Sequence, residues 1–572
     1  MTTMQSADES RRSDRLWLTG AILLAVLAAH GILLLTDHVI WDGWWFNVDL
    51  AKPGGPLIMG RLLGEAGRPL DLFFYQPFRL VSDRIFLAKL LGVLAWCVSA
   101  LAMRVVLQRL GRLPSTVAGA VAVLAATSPV FELLGELSLW MNTACVLLFW
   151  LAWLLFVATR QFKGSARHAI RVLTLGVFFV SFNLNSQLVL FYAVAGMLFW
   201  LRQTDVSVRE VANHAVAGCL RWLDFLILPV VFWIWKSWFT PTSGLYENYN
   251  QPSLNPVLLI AGYANMAYYF CYQGTVDLFA SESWVAAAVV AGLLSAWFLS
   301  HMNWMKELPG DSISMRGSKL MALGGLAMLA AAAFPYIAVG QNLASSGWLA
   351  RNCILCPLPI GLAVVGGLIW VNRRLLPVYP AAWLVCMAML VVLSVGNCHR
   401  NYLGLQAFGA KQQSIGNRLQ DAVDASEACV VQLRDYFQIP RTIPFYAPIV
   451  WTYIGAQGKP HPETFVFETA TMFPDQETVD SNGQKQMVLP QISVTSDVLD
   501  QMITQTTMSY ALESIPRQGT QVLLAIGPGE HGNAGVPIGL RYLWLKWFEP
   551  SKLAEFVRTL TAGKAVDLPP VR

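Results

Sequence analysis

The sequence predicts a polytopic α-helical membrane protein with about 11 transmembrane helices and a C-terminal external domain of α/β or α+β type. Three observations predict it. Of 572 residues, 55% are hydrophobic and only 13% are charged, whereas a soluble domain carries roughly 25% charged residues. Apolar stretches long enough to cross roughly 30 Å of hydrocarbon recur along the first two thirds of the chain. After Cys398 they stop, and short strand-like runs punctuated by Pro, Gly and Asn take over. The net charge of +5 fits the basic loops of a membrane protein and gives no reason to expect nucleic acid.

Residues 1–15 are polar and read as a cytoplasmic tail, with Arg11, Arg12 and Arg15 just before the first apolar run. The run Leu16–Leu35 has no small-x-small cleavage site, so it reads as a signal anchor with the N-terminus inside. Further spans are expected at 85–107, 113–131, 138–158, 169–182, 188–201, 222–238, 284–301, 320–338, 354–371 and 378–396. Acid-free basic stretches separate alternate pairs: Arg104, Arg109 and Arg112; Arg160, Lys163 and Arg167; Arg373 and Arg374. These belong inside. The segment 255–280 is apolar but holds Tyr263, Asn265, Tyr268, Tyr269, Gln273 and Asp277. A full crossing there would put Lys306, Arg316 and Lys319 outside, so it reads as an outer-face amphipathic or re-entrant segment. The resulting organisation is a tail over 1–15, a membrane domain over 16–398 with an external first loop 36–84, and an external soluble domain over 399–572. In that last part Gln412–Ala425 reads as helix, and Ala428–Leu433 and Gln521–Ile526 as strands. The turn Ile526-Gly527-Pro528-Gly529 lacks the Lys and second Gly of a phosphate loop.

Nine cysteines are scattered, mostly within apolar runs, where Cys behaves as a small hydrophobe. Cys353 and Cys356 form a C-x-x-C with no second pair and no His partner, so redox or metal duty is not expected.

The unusual polar residues collect on the face that the basic loops place outside. They are Asp37, Asp42, Asp49, Arg61, Arg68, Glu132, Glu136, Asn183, Asn185, Gln187, Glu247, Arg351 and His399. A site, if the chain has one, faces outward. The start of the first loop, 36–49, holds three carboxylates and the tryptophans Trp41, Trp44 and Trp45, which suit a membrane interface or the face of a sugar ring. Asp42 is the leading base, with Asp37 and Asp49 as alternatives. Leu50–Leu63 reads as a short helix lying on the membrane surface. Arg351 stands just before a span, where an Arg either snorkels or holds a lipid phosphate with its planar fork. Arg61 and Arg68 compete for that task. Glu132, Glu136 and Asn185 are candidates for shaping an acceptor site.

An acidic first external loop, a following surface helix, many spans, a basic residue at a late outer helix lip and an external C-terminal α/β domain together resemble the GT-C superfamily of membrane glycosyltransferases. Those enzymes take a sugar from a polyprenyl-phosphate carrier and pass it to an acceptor on the outer face. The resemblance implies hexosyl or pentosyl transfer to a glycan, lipid or protein. It maps the first-loop acid onto Asp42 and the carrier-phosphate cation onto Arg351. It also implies a bacterial inner membrane with the C-terminal domain periplasmic. A metal is left open, a divalent Mg or Mn ion being the option. The loop departs from the family pattern in having no Asp-Asp or Asp-Glu pair, since Gly43 follows Asp42. The rival readings are a polysaccharide polymerase or ligase, a transporter or flippase, and a non-catalytic envelope assembly protein.

Overall fold

The computed structural model describes residues 2–40, 43–51, 54–129, 133–203, 208–247, 251–279, 313–344, 348–376, 382–426, 430–435, 465–468, 476–479, 485–488, 519–530 and 535–571. The chain divides into two compact units: Met1–Leu35 with Leu57–Tyr402, and Thr36–Pro56 with Leu403–Arg572.

The first unit is helical. Its elements are α1 (Thr2–His30), α3 (Gly55–Glu65, almost wholly in this unit), α4 (Asp71–Tyr75), α5 (Arg84–Arg109), α6 (Ser115–Ala126), α7 (Trp140–Thr159), α8 (Gly164–Ser181) and α9 (Gln187–Leu201). They continue with α10 (Val208–Arg221), α11 (Leu223–Phe239), α12 (Pro256–Ala267), α13 (Gly274–Leu278), α14 (Met315–Ile337), α15 (Pro357–Leu375) and the first part of α16 (Ala382–Ser426). Among the described residues, six helices are long and apolar enough to cross a membrane: Leu16–Leu35, Arg84–Arg109, Leu137–Thr159, Met315–Ile337, Pro357–Leu375 and Ala382–Ala422. The pair α10 and α11, bent by 64°, makes a seventh if it counts as one span. The chain is therefore a helical membrane-embedded protein.

The difference from the eleven expected spans has physical causes. The apolar runs at 113–131 and 188–201 form helices of only 12 and 15 residues, and 12 residues rise about 18 Å. The run at 169–182 is the apolar half of α8, whose first half carries Arg167, His168 and Arg171. The run at 284–301 lies outside the described residues. The segment 255–280 forms α12 and α13 with a π-turn, Tyr268–Gln273, between them.

Close helix approach comes from glycine. A Cβ on Gly366 would stand 2.6 Å from the backbone N of Ala322, and one on Gly361 2.8 Å from the Val121 carbonyl. These contacts seat α15 against α14 and α6 without side chains between the backbones, the usual solution where lipid removes the hydrophobic drive for helix pairing. Between α7, α8, α9 and α11 an aromatic core fills the gap. Phe178 meets Phe149, Trp153, Phe191 and Phe225 edge-on at 5.1–6.3 Å between ring centres, a favoured ring geometry. Cys353 and Cys356 are buried with Ala333, Ile337 and Leu343, and the Cys353 thiol donates to the Ala344 carbonyl at 3.2 Å.

The second unit combines α2 (Gly43–Ala51) and the later part of α16 with β1 (Val430–Asp435), β2 (Phe465–Glu468), β3 (Gln476–Val479), β4 (Lys485–Val488), β5 (Gly519–Pro528), α17 (Gly535–Phe548), α18 (Pro550–Thr559) and β6 (Thr561–Val571). Four strands form a sheet in the order β2-β1-β5-β6, and β3 pairs with β4 separately. β1 runs parallel to β2 and β5, with Val431 opposite Val466 and Val522. β6 runs antiparallel to β5. Of the expected strand at 428–433, residues 430–433 lie in β1 and 428–429 lie outside the described residues; the expected strand at 521–526 falls within β5. The expected helix Gln412–Ala425 is the last part of α16.

Candidate functional site

The strongest polar cluster of the first unit is built on the turn between α3 and α4. The Arg68 N–H donates to the Leu63 carbonyl at 2.7 Å and the Gly67 N–H to that of Gly64 at 2.9 Å. This pair of bonds ends a helix when the residue after it adopts the left-handed region, and Gly67 does so with φ +67°. A Cβ there would also stand 2.7 Å from the Thr240 carbonyl. Glycine is thus required twice, and the consequence is that Arg68 and then Asp71 turn inward.

Asp71 opens α4 and is buried, 1% exposed. Arg68 Nε lies 2.9 Å from Asp71 Oδ2, an ion pair rather than an in-line hydrogen bond. Arg68 Nη2 donates to Asn142 Oδ1 at 3.1 Å, and the Asn183 amide donates to Asp71 Oδ1. The Arg68 side chain keeps about a third of its surface open (32%), while that of Asp71 is closed (2%). Burial raises the Asp71 pKa from 3.8 to about 6, outweighing the opposing pull of Arg68, Lys236 and the Asn183 amide. Lys236, near the end of α11, thus acts on the same carboxylate. Below the ion pair the Tyr75 hydroxyl donates to the Ser138 carbonyl at 2.8 Å, and burial pushes its phenol pKa up. Beside it the hydroxyls of Ser186 and Tyr336 pair at 3.1 Å.

These partners share one end of the bundle. Asn142 and Ser138 lie at the start of α7, Asn183 just past the end of α8, Lys236 near the end of α11, and Tyr336 near the end of α14. The opposite end is basic. Arg202 holds its proton less tightly than usual, first through burial and then through the charges of Arg160 and Arg112 nearby. A guanidinium one third exposed, held by a buried carboxylate and an amide, with an ammonium nearby, is equipped to accept an anionic oxygen group.

The other sequence candidates are dispersed. Arg61 pairs with Glu65 at 3.2 Å on the exposed side of α3. Arg351 sits half-buried in the 3-10 turn Trp348–Cys353. Glu136 is buried just before the 3-10 turn Leu137–Leu139, and Asn185 is exposed one turn position from Asn183. In the second unit Asp37 is a structural carboxylate: it accepts from the Gln406 amide at 2.7 Å and the Tyr542 hydroxyl at 3.0 Å, and pairs with Lys546 at 3.1 Å. Asp49 is buried in α2, and Trp44, 2% exposed, donates its indole N–H to Gln412 Oε1 at 3.2 Å. Asp42, Trp41 and Glu132 lie outside the described residues. Sequence reasoning singled out Arg68 and placed Asn183 on the same face, and it passed over Asp71, Asn142 and Lys236. A signal existed for Lys236, a lone cation within an apolar run. Among the described residues no three His, Cys, Asp or Glu side chains form a group that could hold a metal ion.

Comparison with models of protein families, with curated proteins and with solved structures found no match to this chain.

Proposed function

We propose that this chain is an integral membrane glycosyltransferase of the GT-C type. It transfers a hexose or pentose from a polyprenyl-phosphate carrier to an acceptor glycan, lipid or protein on the outer face. The observation that carries the reading is the Arg68–Asp71 pair, braced by Asn142 and Asn183 beside Lys236 at one end of the bundle. When the sugar leaves its carrier, charge develops on the carrier phosphate and must be met by fixed cations. Arg68 and Lys236 supply them in this reading, and Asp71 positions the Arg68 fork. Asp42 keeps the role of base that takes the acceptor proton, and Arg351 that of a further cation. The cluster end faces the periplasm of a bacterial inner membrane, as does the C-terminal unit. The basic end with Arg112, Arg160 and Arg202 faces the cytoplasm, in keeping with the excess of Lys and Arg on inner loops.

Transfer from a panel of radiolabelled polyprenyl-phosphate sugars in proteoliposomes tests this function. Wild type is expected to consume at least one donor, and Arg68→Ala and Asp42→Asn, each monodisperse, to lose that activity. If wild type neither consumes nor binds any carrier sugar, the transferase reading fails and a transporter or assembly role takes its place.

A further inference from the structure

The helix α17 exposes an apolar stripe. Leu540, Trp544, Trp547 and Phe548 are 59, 55, 54 and 68% exposed, and their spacing of four, three and one residues puts them on one helix face. The opposite face is the packed one, with Ile538, Gly539, Tyr542, Leu543 and Leu545 buried. The Trp544 and Phe548 rings lie together, 4.6 Å between centres. Half-exposed rings of this size leave on the order of 400 Å² of apolar surface uncovered, as large as the largest patch on an ordinary soluble domain.

Three observations name the occupant. Gly539 packs directly on the backbone of Leu403 in α16. That helix is continuous from Ala382, so Leu403 lies about 30 Å along it, one hydrocarbon thickness from its start. The exposed residues are of the interfacial kind, two indoles with a phenyl ring and a Leu. On α17 and α18, Lys546 pairs with Asp37 and Lys552 with Glu549, which leaves Arg541 and Arg558 against Glu555, a small positive surplus that complements anionic headgroups.

We infer that α17 is an in-plane membrane anchor: its Leu540–Trp544–Trp547–Phe548 face inserts into the headgroup region of an anionic phospholipid bilayer. At 14 residues α17 rises only about 21 Å and cannot span the bilayer, so it lies on the surface.

Photocrosslinking in the full-length protein tests this anchor. p-Benzoylphenylalanine replaces Trp544, Trp547 or, as a control on the exposed side of α18, Glu555. Each variant is reconstituted in nanodiscs of phosphatidylethanolamine and phosphatidylglycerol, irradiated, and weighed intact. A mass gain of one phospholipid at positions 544 and 547, several-fold above that at 555, is the expected result. No lipid adduct at 544 or 547 in a monodisperse protein overturns the inference. A covalent link to a second copy of the chain also overturns it, because the face would then be a subunit interface.

Discussion

Asp71 and Arg68 form a pair in which each member constrains the other. Asp71 is held at a pKa of about 6 against an ordinary 3.8, by burial before anything else. Between those values the folded chain keeps a proton that the unfolded chain has released. The group therefore contributes stability below about pH 4, and the contribution is lost as pH rises through about 6. Asp71→Asn removes the titration. We expect the wild-type melting temperature to fall relative to that of Asp71→Asn across pH 4–6, and equal slopes would show that Asp71 does not titrate there. Arg68→Lys keeps the charge but loses the fork that reaches Asp71 and Asn142 together. We expect it to lower sugar transfer about tenfold or more, the worth of one charge-assisted hydrogen bond; activity equal to wild type would show that charge alone suffices. Arg68 was legible in the sequence as a cation on the outward face. Asp71 was not, since an acid in a first helical turn is what any solvated helix carries. Its carboxylate accepts from the Asn183 amide, more than a hundred positions away in the chain.

At the scale of elements, helix pairing depends on two glycines side by side in sequence with opposite surroundings. Gly366 faces α14, where a Cβ would also stand 3.0 Å from the Ser318 carbonyl, whereas Gly367 has nothing within 4 Å. Gly366→Leu forces the backbones of α14 and α15 apart and is expected to cost about 3 kcal/mol or more, read as a lower melting temperature. Gly367→Leu, from the same chemistry one position on, is expected to melt as wild type does. A reversed order would mean that α15 is rotated from the orientation described. Hydropathy located most helices, since Arg84–Arg109, Leu137–Thr159 and Pro357–Leu375 coincide closely with expected spans. It does not tell a crossing helix from a shorter one, because an apolar run does not report where a helix ends. The run 113–131 stops helical geometry at Ala126, and Asn183–Ser186 turns the chain before α9 has spanning length.

At the scale of the whole molecule, the sidedness of the two bundle ends carries the proposed function. Reporter fusions test it: alkaline phosphatase joined after Arg572 is expected to be active and one joined after Lys163 inactive, with the reverse pattern for a fluorescent protein that folds only in the cytoplasm. Activity of the phosphatase at Lys163 would invert the topology and place the Arg68 cluster inside. The strands of the second unit were partly legible, as the runs at 428–433 and 521–526, against β1 at 430–435 and β5 at 519–528. The order β2-β1-β5-β6 was not, because pairings across some ninety residues leave no local trace. Nor was the grouping of Thr36–Pro56 with Leu403–Arg572, which depends on Gln406 and Gln412 reaching back to Asp37 and Trp44.

The most direct measurement is the affinity of the purified protein in nanodiscs for a polyprenyl monophosphate, the carrier left after transfer, compared between Arg68→Ala and Arg61→Ala. Both substitutions remove one guanidinium from the same short stretch of chain, but Arg61 is paired with Glu65 on an exposed helix face. Arg68→Ala is expected to weaken binding about tenfold or more and Arg61→Ala to leave it within about twofold of wild type. Equal affinities for wild type and Arg68→Ala, with both proteins folded, would contradict the placement of the carrier phosphate at this cluster.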